Sequence, residues 1–263
     1  MGDTANPAYQ AFAELVVTDV VFGQVRIRSE DSRFVLCHDA DSLKNPEQLK
    51  AVDPTALRTL SQNTAVGAYR PIKAAPDLID GWRFVASGAN ALGEALDRLY
   101  PGAIADWFAL QSDDPPITHY RQYTNRQTGM YRITTMLDDA QAAGMIRACC
   151  DARFCLKRRH WTVDGLAADP PETKSLIPCL EPCAVLLEFA RRTVRMNQEP
   201  KSNLELSKSE LATIAEALES SSESPTPGDR VADFNSPRNP RRVQLLKERI
   251  SQALASLREE PEE

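Results

Sequence analysis

No stretch of this 263-residue sequence approaches the roughly 18 consecutive apolar residues that a membrane-spanning helix needs, so no membrane span is expected. The N-terminus, MGDTANPAYQ, lacks the cationic segment and apolar run of a secretory leader, and Asn6 stands where a myristoylation signal prefers Ser or Thr. No two glycines stand two apart, which removes the dinucleotide-binding fingerprint, and there is neither a glycine-rich phosphate loop nor an internal repeat. Positive charge is not in excess. Against 37 Asp and Glu stand 31 Lys and Arg, a formal net charge of -6 that argues against a dedicated binder of phosphate backbones. Histidine is scarce: His38, His119 and His160 are scattered and form no ligand motif. Aromatics are 6% of the chain, so the core should be rich in Leu, Ala and Val. The expected location is cytoplasmic, with neither nucleic acid nor membrane as a partner.

Cysteine is present, and patterned. Five of the six cysteines fall between Cys149 and Cys183, and a reducing cytosol favours burial, metal binding or redox chemistry over disulfides. Four residues separate Cys150 from Cys155 and three separate Cys179 from Cys183, with a loop of 23 between the pairs. Two short-spaced pairs joined by a longer loop are the layout of a four-thiolate site, since each pair supplies two sulfurs from one turn. Cys150 is preferred to its neighbour Cys149 because its spacing to Cys155 puts it at a helix end with the following loop able to wrap a metal, and Cys149 then packs into the helix face or serves as a reserve ligand. In IPCLEPCAVLLEFARR, Pro182 suits the first helical position, which places Cys183 in the first turn, near free amide donors and the positive end of the helix dipole. Lys157, Arg158 and Arg159 follow Cys155 and either offset the charge of four thiolates or form an ordinary solvated charge run, and Trp161 either shields the site or is plain core. An all-sulfur tetrahedral set suits zinc or iron-sulfur, and spacing leaves both open. Cys37 and His38 are adjacent in a strand and face opposite sides, so a metal shared between them is not expected, and Cys37 is expected to be buried as unpaired cysteine ordinarily is.

Around these residues the organisation is legible. Asn6 and Pro7 suit the cap and first position of a helix to about Leu15. VVTDVVFGQVRIRS and RFVLCHD alternate apolar and polar residues about the turn SEDS, as a hairpin does. YRPIKAAPDLIDGWRF should be an extended loop entering a strand, and ANALGEALDRLYPGAIADWFAL two helical pieces broken at Pro101. RQTGMYRITT predicts a short strand, and MLDDAQAAGMIRACC a helix, with Asp138 and Asp139 at its start. From Asn197 the chain turns polar, and Ser220 to Pro240 reads as a flexible linker. Ser207 and Glu210 form a capping box ahead of one helix. Val243, Leu246, Ile250, Leu254 and Leu257 make an apolar stripe on another, which either docks on its own domain or serves as an interaction helix. The expected fold class is α+β: a small antiparallel sheet with helices, then a mainly helical four-cysteine domain and a flexible C-terminal tail.

Five of these stretches, YRPIKAAPDLIDGWRF, LDRLYPGAIADW, RQTGMYRIT, C-x4-CLKRRHW and IPCLEPCAVLLEFARR, occur in this order. Over roughly Val20 to Arg195 they resemble the stabilising domain and adjoining 4Fe-4S-binding domain attached to chelatase-like proteins of the cobalamin and sirohaem pathways. The resemblance implies Cys150, Cys155, Cys179 and Cys183 as cluster ligands and a 4Fe-4S cluster as cofactor, with structural zinc as the alternative. The expected domains are a stabilising domain at 1–100, a cluster-binding domain at 101–195 and, from composition, a polar linker with an amphipathic helix at 196–263. The relatives' separate chelatase domain, with histidine ligands in βαβ units, has no counterpart here, so metal insertion by this chain alone is not expected. No catalytic residue is assigned. The expected role is electron transfer, redox sensing or support of a chelatase or redox partner protein, with an interaction module built around zinc as the alternative.

Overall fold

The computed structural model describes residues 6–17, 19–31, 33–62, 78–170, 175–201, 205–220 and 238–259. The loop expected at Tyr69 to Asp77 and the linker between 221 and 237 lie outside the described residues. The fold is mixed α+β with a small, mostly antiparallel sheet, as the patterning implied. Among the described residues no helix is long and apolar enough to cross a membrane.

The chain divides into two compact units. The first comprises Met1–Ile117, Cys155–Trp161 and Ala168–Leu180. It opens with α1 (Pro7–Leu15), whose cap Asn6 accepts the Ala8 amide on Oδ1 at 3.0 Å while Pro7 fills the first helical position. The next apolar run is not one strand but two, β1 (Asp19–Phe22) and β2 (Val25–Glu30). Gly23 makes the difference: its φ of +68° turns the chain, and a Cβ there would meet the Tyr100 ring, whose hydroxyl accepts the Gln24 amide at 3.0 Å. The expected hairpin about SEDS is present between β2 and β3 (Arg33–His38). Further along come β4 (Lys50–Ala51), α2 (Pro54–Gln62), β5 (Trp82–Ala86), α3 (Ala89–Leu99) and α4 (Ala103–Ala109), the last two separated at Pro101. The strand order of this sheet is β1-β2-β3-β5-β4; β4 pairs with β5 in parallel and the other neighbours pair antiparallel.

Register puts Val20, Ile27, Leu36 and Phe84 side by side on one face, where they join Phe12, Trp82, Leu92 and Leu96 in the core. Helices α1 and α3 approach so closely that a Cβ on Gly93 would overlap the Tyr9 ring, and the Tyr9 hydroxyl donates to Asp97 at 2.6 Å. Gly93→Ala is therefore expected to cost about 1–3 kcal/mol by overpacking. A thermal melt should register this as a lowered Tm; an unchanged Tm would contradict the contact.

The second unit comprises Thr118–Phe154, Thr162–Ala167 and Glu181–Glu263. It holds α5 (Tyr120–Asn125), a 3-10 helix (Gly129–Met136), α6 (Asp139–Cys150), α7 (Ala184–Gln198), α8 (Lys208–Ser220) and α9 (Pro240–Glu259). The strand expected in RQTGMYRITT is this 3-10 helix. Its β-branched residues suggested a strand, but Tyr131, Thr134 and Leu137 turn inward three apart, which is the 3-10 repeat. Asp138 caps α6 in a reciprocal capping box with Gln141, and Ser207 and Glu210 exchange the same pair of bonds ahead of α8.

Helix α9 packs on α6 and α8 of its own unit rather than standing apart. Its rotation differs from the apolar stripe: Leu245 and Arg241 are buried, while Leu246 and Leu257 are well exposed. Arg241 accounts for this. Its guanidinium donates to the carbonyls of Phe154 at 3.3 Å and Cys149 at 3.5 Å and lies over the Phe154 ring, so the helix turns that side inward.

Candidate metal centre

Cys179 lies in one of two short parallel strands, and Cys155 stands a few residues ahead of the other. Strand β6 (Arg158–Arg159) pairs with β7 (Pro178–Cys179), Arg159 standing opposite Cys179. The Arg158 amide donates to the Ile177 carbonyl at 2.8 Å, and the His160 amide to the Cys179 carbonyl at 3.0 Å. These bonds fix Cys179, which is half-buried, as is Cys155. The Cys155 sulfur lies 4.0 Å from the Lys157 carbonyl. Trp161, 1% exposed, donates its indole Nε1–H to the Cys179 Sγ at 3.3 Å. The sequence offered Trp161 as a shield or as plain core; the hydrogen bond depends on β6 and β7 meeting, which has no local signature.

The cations following Cys155 have defined partners. Lys157 lies 3.6 Å from Asp106. Arg159 is buried: its amide donates to Asp169 at 2.9 Å, its Nη1 donates to the Trp161 carbonyl at 2.6 Å, and its guanidinium stacks over the Trp161 ring. Arg158 donates from Nε to His160 Nε2 at 3.3 Å. Burial, with Arg158 beside it, pushes the His160 pKa below its ordinary value. This run is thus mostly engaged within its own unit, with carboxylates against two of its three charges, and is a weaker source of charge compensation than its sequence suggested.

In the second unit, Cys149 is packed into the buried face of α6 with Ala142, Met145 and Ile146, whereas Cys150, the last residue of the helix, is half-buried. Cys183 is exposed. It is not in the first turn of α7 but is its N-cap, with extended φ and ψ of -89° and 165°, and Pro182 stands outside the helix. The backbone stays extended one residue longer than the proline suggested. The Cys183 side chain makes no capping hydrogen bond, and the Leu187 amide donates to its carbonyl at 3.1 Å. A thiolate here still sits beside the open amides of a 15-residue helix, where negative charge is favoured.

The remaining candidates are placed elsewhere. Cys37 is buried on the sheet face away from the main core, opposite Arg26 and Arg83, and burial pushes its thiol pKa up. His38 and His119 each accept a backbone amide on Nδ1, from Ala40 and Arg121, and so act as local caps. Among the described residues no three Cys, His, Asp or Glu side chains are gathered as a single metal ion requires. No disulfide joins any of the six cysteines. The donor chemistry available suits an iron-sulfur group: soft sulfur donors, an indole N–H on one of them and a helix start beside another.

Residues 112–192 match the family model described as a 4Fe-4S iron-sulfur cluster binding domain. Residues 5–111 match the model of the DR2241 stabilising domain. The chain joins a stabilising domain to a 4Fe-4S cluster-binding domain. Its cofactor is a 4Fe-4S cluster. All five clustered cysteines fall within the cluster-binding domain, and Cys37 falls within the stabilising domain. Among solved structures the chain is similar to DR2241 from Deinococcus radiodurans, described as a multi-domain protein with structural similarity to chelatases and two additional novel domains. The two are 26% identical with a TM-score of 0.60, over 72% of this chain. The chain spans 41% of the DR2241 structure. No curated protein matches it.

Proposed function

We propose that Cys150, Cys155, Cys179 and Cys183 hold the 4Fe-4S cluster and that the chain is a non-catalytic, cytoplasmic electron-transfer accessory to a chelatase-like partner protein. The observation that carries the ligand assignment is the coincidence of the two short-spaced cysteine pairs with the matched cluster-binding domain. Burial supports the choice among six thiols, because Cys37 and Cys149 are packed away while the other four are half-buried or exposed. The bound cluster would supply one-electron redox capacity. The chain's own residues would hold the sulfurs, donate the Trp161 N–H to one of them, and keep Cys183 beside the α7 amides. The accessory role rests on similarity to part of a multi-domain protein described as chelatase-like.

Protein purified anaerobically without added metal is expected to be brown, with about four iron and four sulfide per chain. A colourless protein that reconstitution cannot colour, or one holding a single zinc and no sulfide, would overturn the ligand assignment. The accessory role is tested by mixing the dithionite-reduced, loaded chain with a separately expressed chelatase-like protein. Co-elution and re-oxidation of the cluster are expected; neither occurring would overturn that role.

A further inference from the structure

We infer that Trp161 sets the reduction potential of the cluster through its hydrogen bond to the Cys179 sulfur, an inference that rests on Cys179 being a ligand. A buried indole N–H ordinarily finds a carbonyl, as that of Trp82 does at Ile79. Trp161 spends its only donor on sulfur instead, at 3.3 Å. A neutral thiol is a weak acceptor, so the arrangement gains most when the sulfur is a thiolate, where charge assistance roughly doubles such a bond.

The geometry is held from several sides. Pairing of β6 with β7 sets the register of the two residues. The Arg159 guanidinium lies 5.3 Å from the centre of the Trp161 ring while donating to the Trp161 carbonyl, which fixes ring and backbone together. Asp169 receives the Arg159 amide and so anchors the stretch that carries the guanidinium. Trp161 touches the ligand sulfur and acts through it, so it is a positioning residue.

The sign follows from charge. Adding one electron makes the cluster and its thiolates more negative, and an N–H aimed at sulfur favours that state more than the oxidised one. Losing the bond therefore lowers the potential. No bond to iron breaks in the step, and in the test the electron comes from dithionite.

The experiment uses the full-length, cluster-loaded chain. Trp161→Phe keeps the ring and removes the donor. It is expected to retain iron and sulfide while its midpoint, read by electron paramagnetic resonance during a dithionite titration, falls by about tenfold in the oxidised-to-reduced ratio, or 59 mV for one electron. An unchanged midpoint with full cluster content overturns the inference. Should the variant not hold its cluster, nitrogen-15 tryptophan in the otherwise unaltered protein decides. Pulsed resonance of the reduced cluster should detect an indole nitrogen coupling that survives Trp107→Phe, and the lack of one overturns the inference. Cys179→Ser separates the two levels of the argument. If it leaves iron content and spectrum unaltered, the ligand assignment has failed and takes this inference with it. If it strips or reshapes the cluster while Trp161→Phe leaves the midpoint alone, only the role of Trp161 has failed.

Discussion

Replacing Cys150, Cys155, Cys179 or Cys183 by serine is expected to drop anaerobically purified protein from about four iron per chain to below about one, whereas Cys37→Ser and Cys149→Ser should keep their iron. A serine hydroxyl is a hard, weakly acidic donor, and iron bridged by sulfide prefers thiolate. The two groups differ in environment. Cys183 is exposed at the start of α7, and Cys179 is half-buried with an indole N–H on its sulfur. Cys37 is held as a thiol by burial on the sheet. Cys149 is 4% exposed within the packed face of α6, its carbonyl tied to Arg241. Metal analysis with a visible spectrum reads the outcome directly. If Cys149→Ser loses iron while Cys150→Ser keeps it, the ligand assignment at that pair is reversed.

Glu188→Ala should be among the most destabilising single changes in the second unit. Glu188 is buried on α7 and accepts Arg191 through both carboxylate oxygens, with Arg192 Nε on Oε1 at 2.8 Å. Removing the carboxylate strands the buried Arg191 guanidinium, which costs about 3–5 kcal/mol when a buried pair loses one partner. Denaturant unfolding followed by circular dichroism should show it as a lower midpoint with little change in slope. A midpoint within error of wild type would mean that the pair contributes nothing. The same group gives a pH dependence. Burial pushes the Glu188 pKa up, but the hydrogen bonds from Arg191 and Arg192 outweigh burial and hold it below its ordinary value of 4.5. The folded state thus binds the proton less readily than the unfolded chain. Its contribution is complete above about pH 4.5 and is lost as pH falls through the depressed folded value. Glu188→Gln should lose less stability at pH 7 than Glu188→Ala, and its stability gap to wild type should close as the pH falls below about 4. A gap constant with pH would show that the carboxylate's charge is not what matters.

Much of the local structure was legible because its causes are local. Asn6 with Pro7, Ser207 with Glu210 and Pro101 each act on amides within a turn of themselves, and α1, α8 and the break between α3 and α4 stand where those residues place them. Departures from the local pattern arose where a distant group overrode a local preference. Gly23 divides one apolar run into two strands beside the Tyr100 ring, and the buried Arg241 rotates α9 away from its apolar stripe. At Cys183 the shift was a single residue, but it changed a first-turn cysteine into a cap.

For the candidate metal centre, the four proposed sulfur donors were read from spacing. Two cysteine pairs with short gaps name four sulfurs as candidates whatever the fold, because a turn of chain suffices to present each pair. Their surroundings could not be read that way. That Cys149 is packed into a helix face while Cys150 lies at its end, that Lys157 and Arg159 have Asp106 and Asp169 close to their charges, and that Trp161 reaches the Cys179 sulfur all depend on contacts between elements. Spacing along a chain specifies which atoms can bind a metal. Burial, charge balance and hydrogen bonding to those atoms come from residues far away in sequence, and folding alone brings them together.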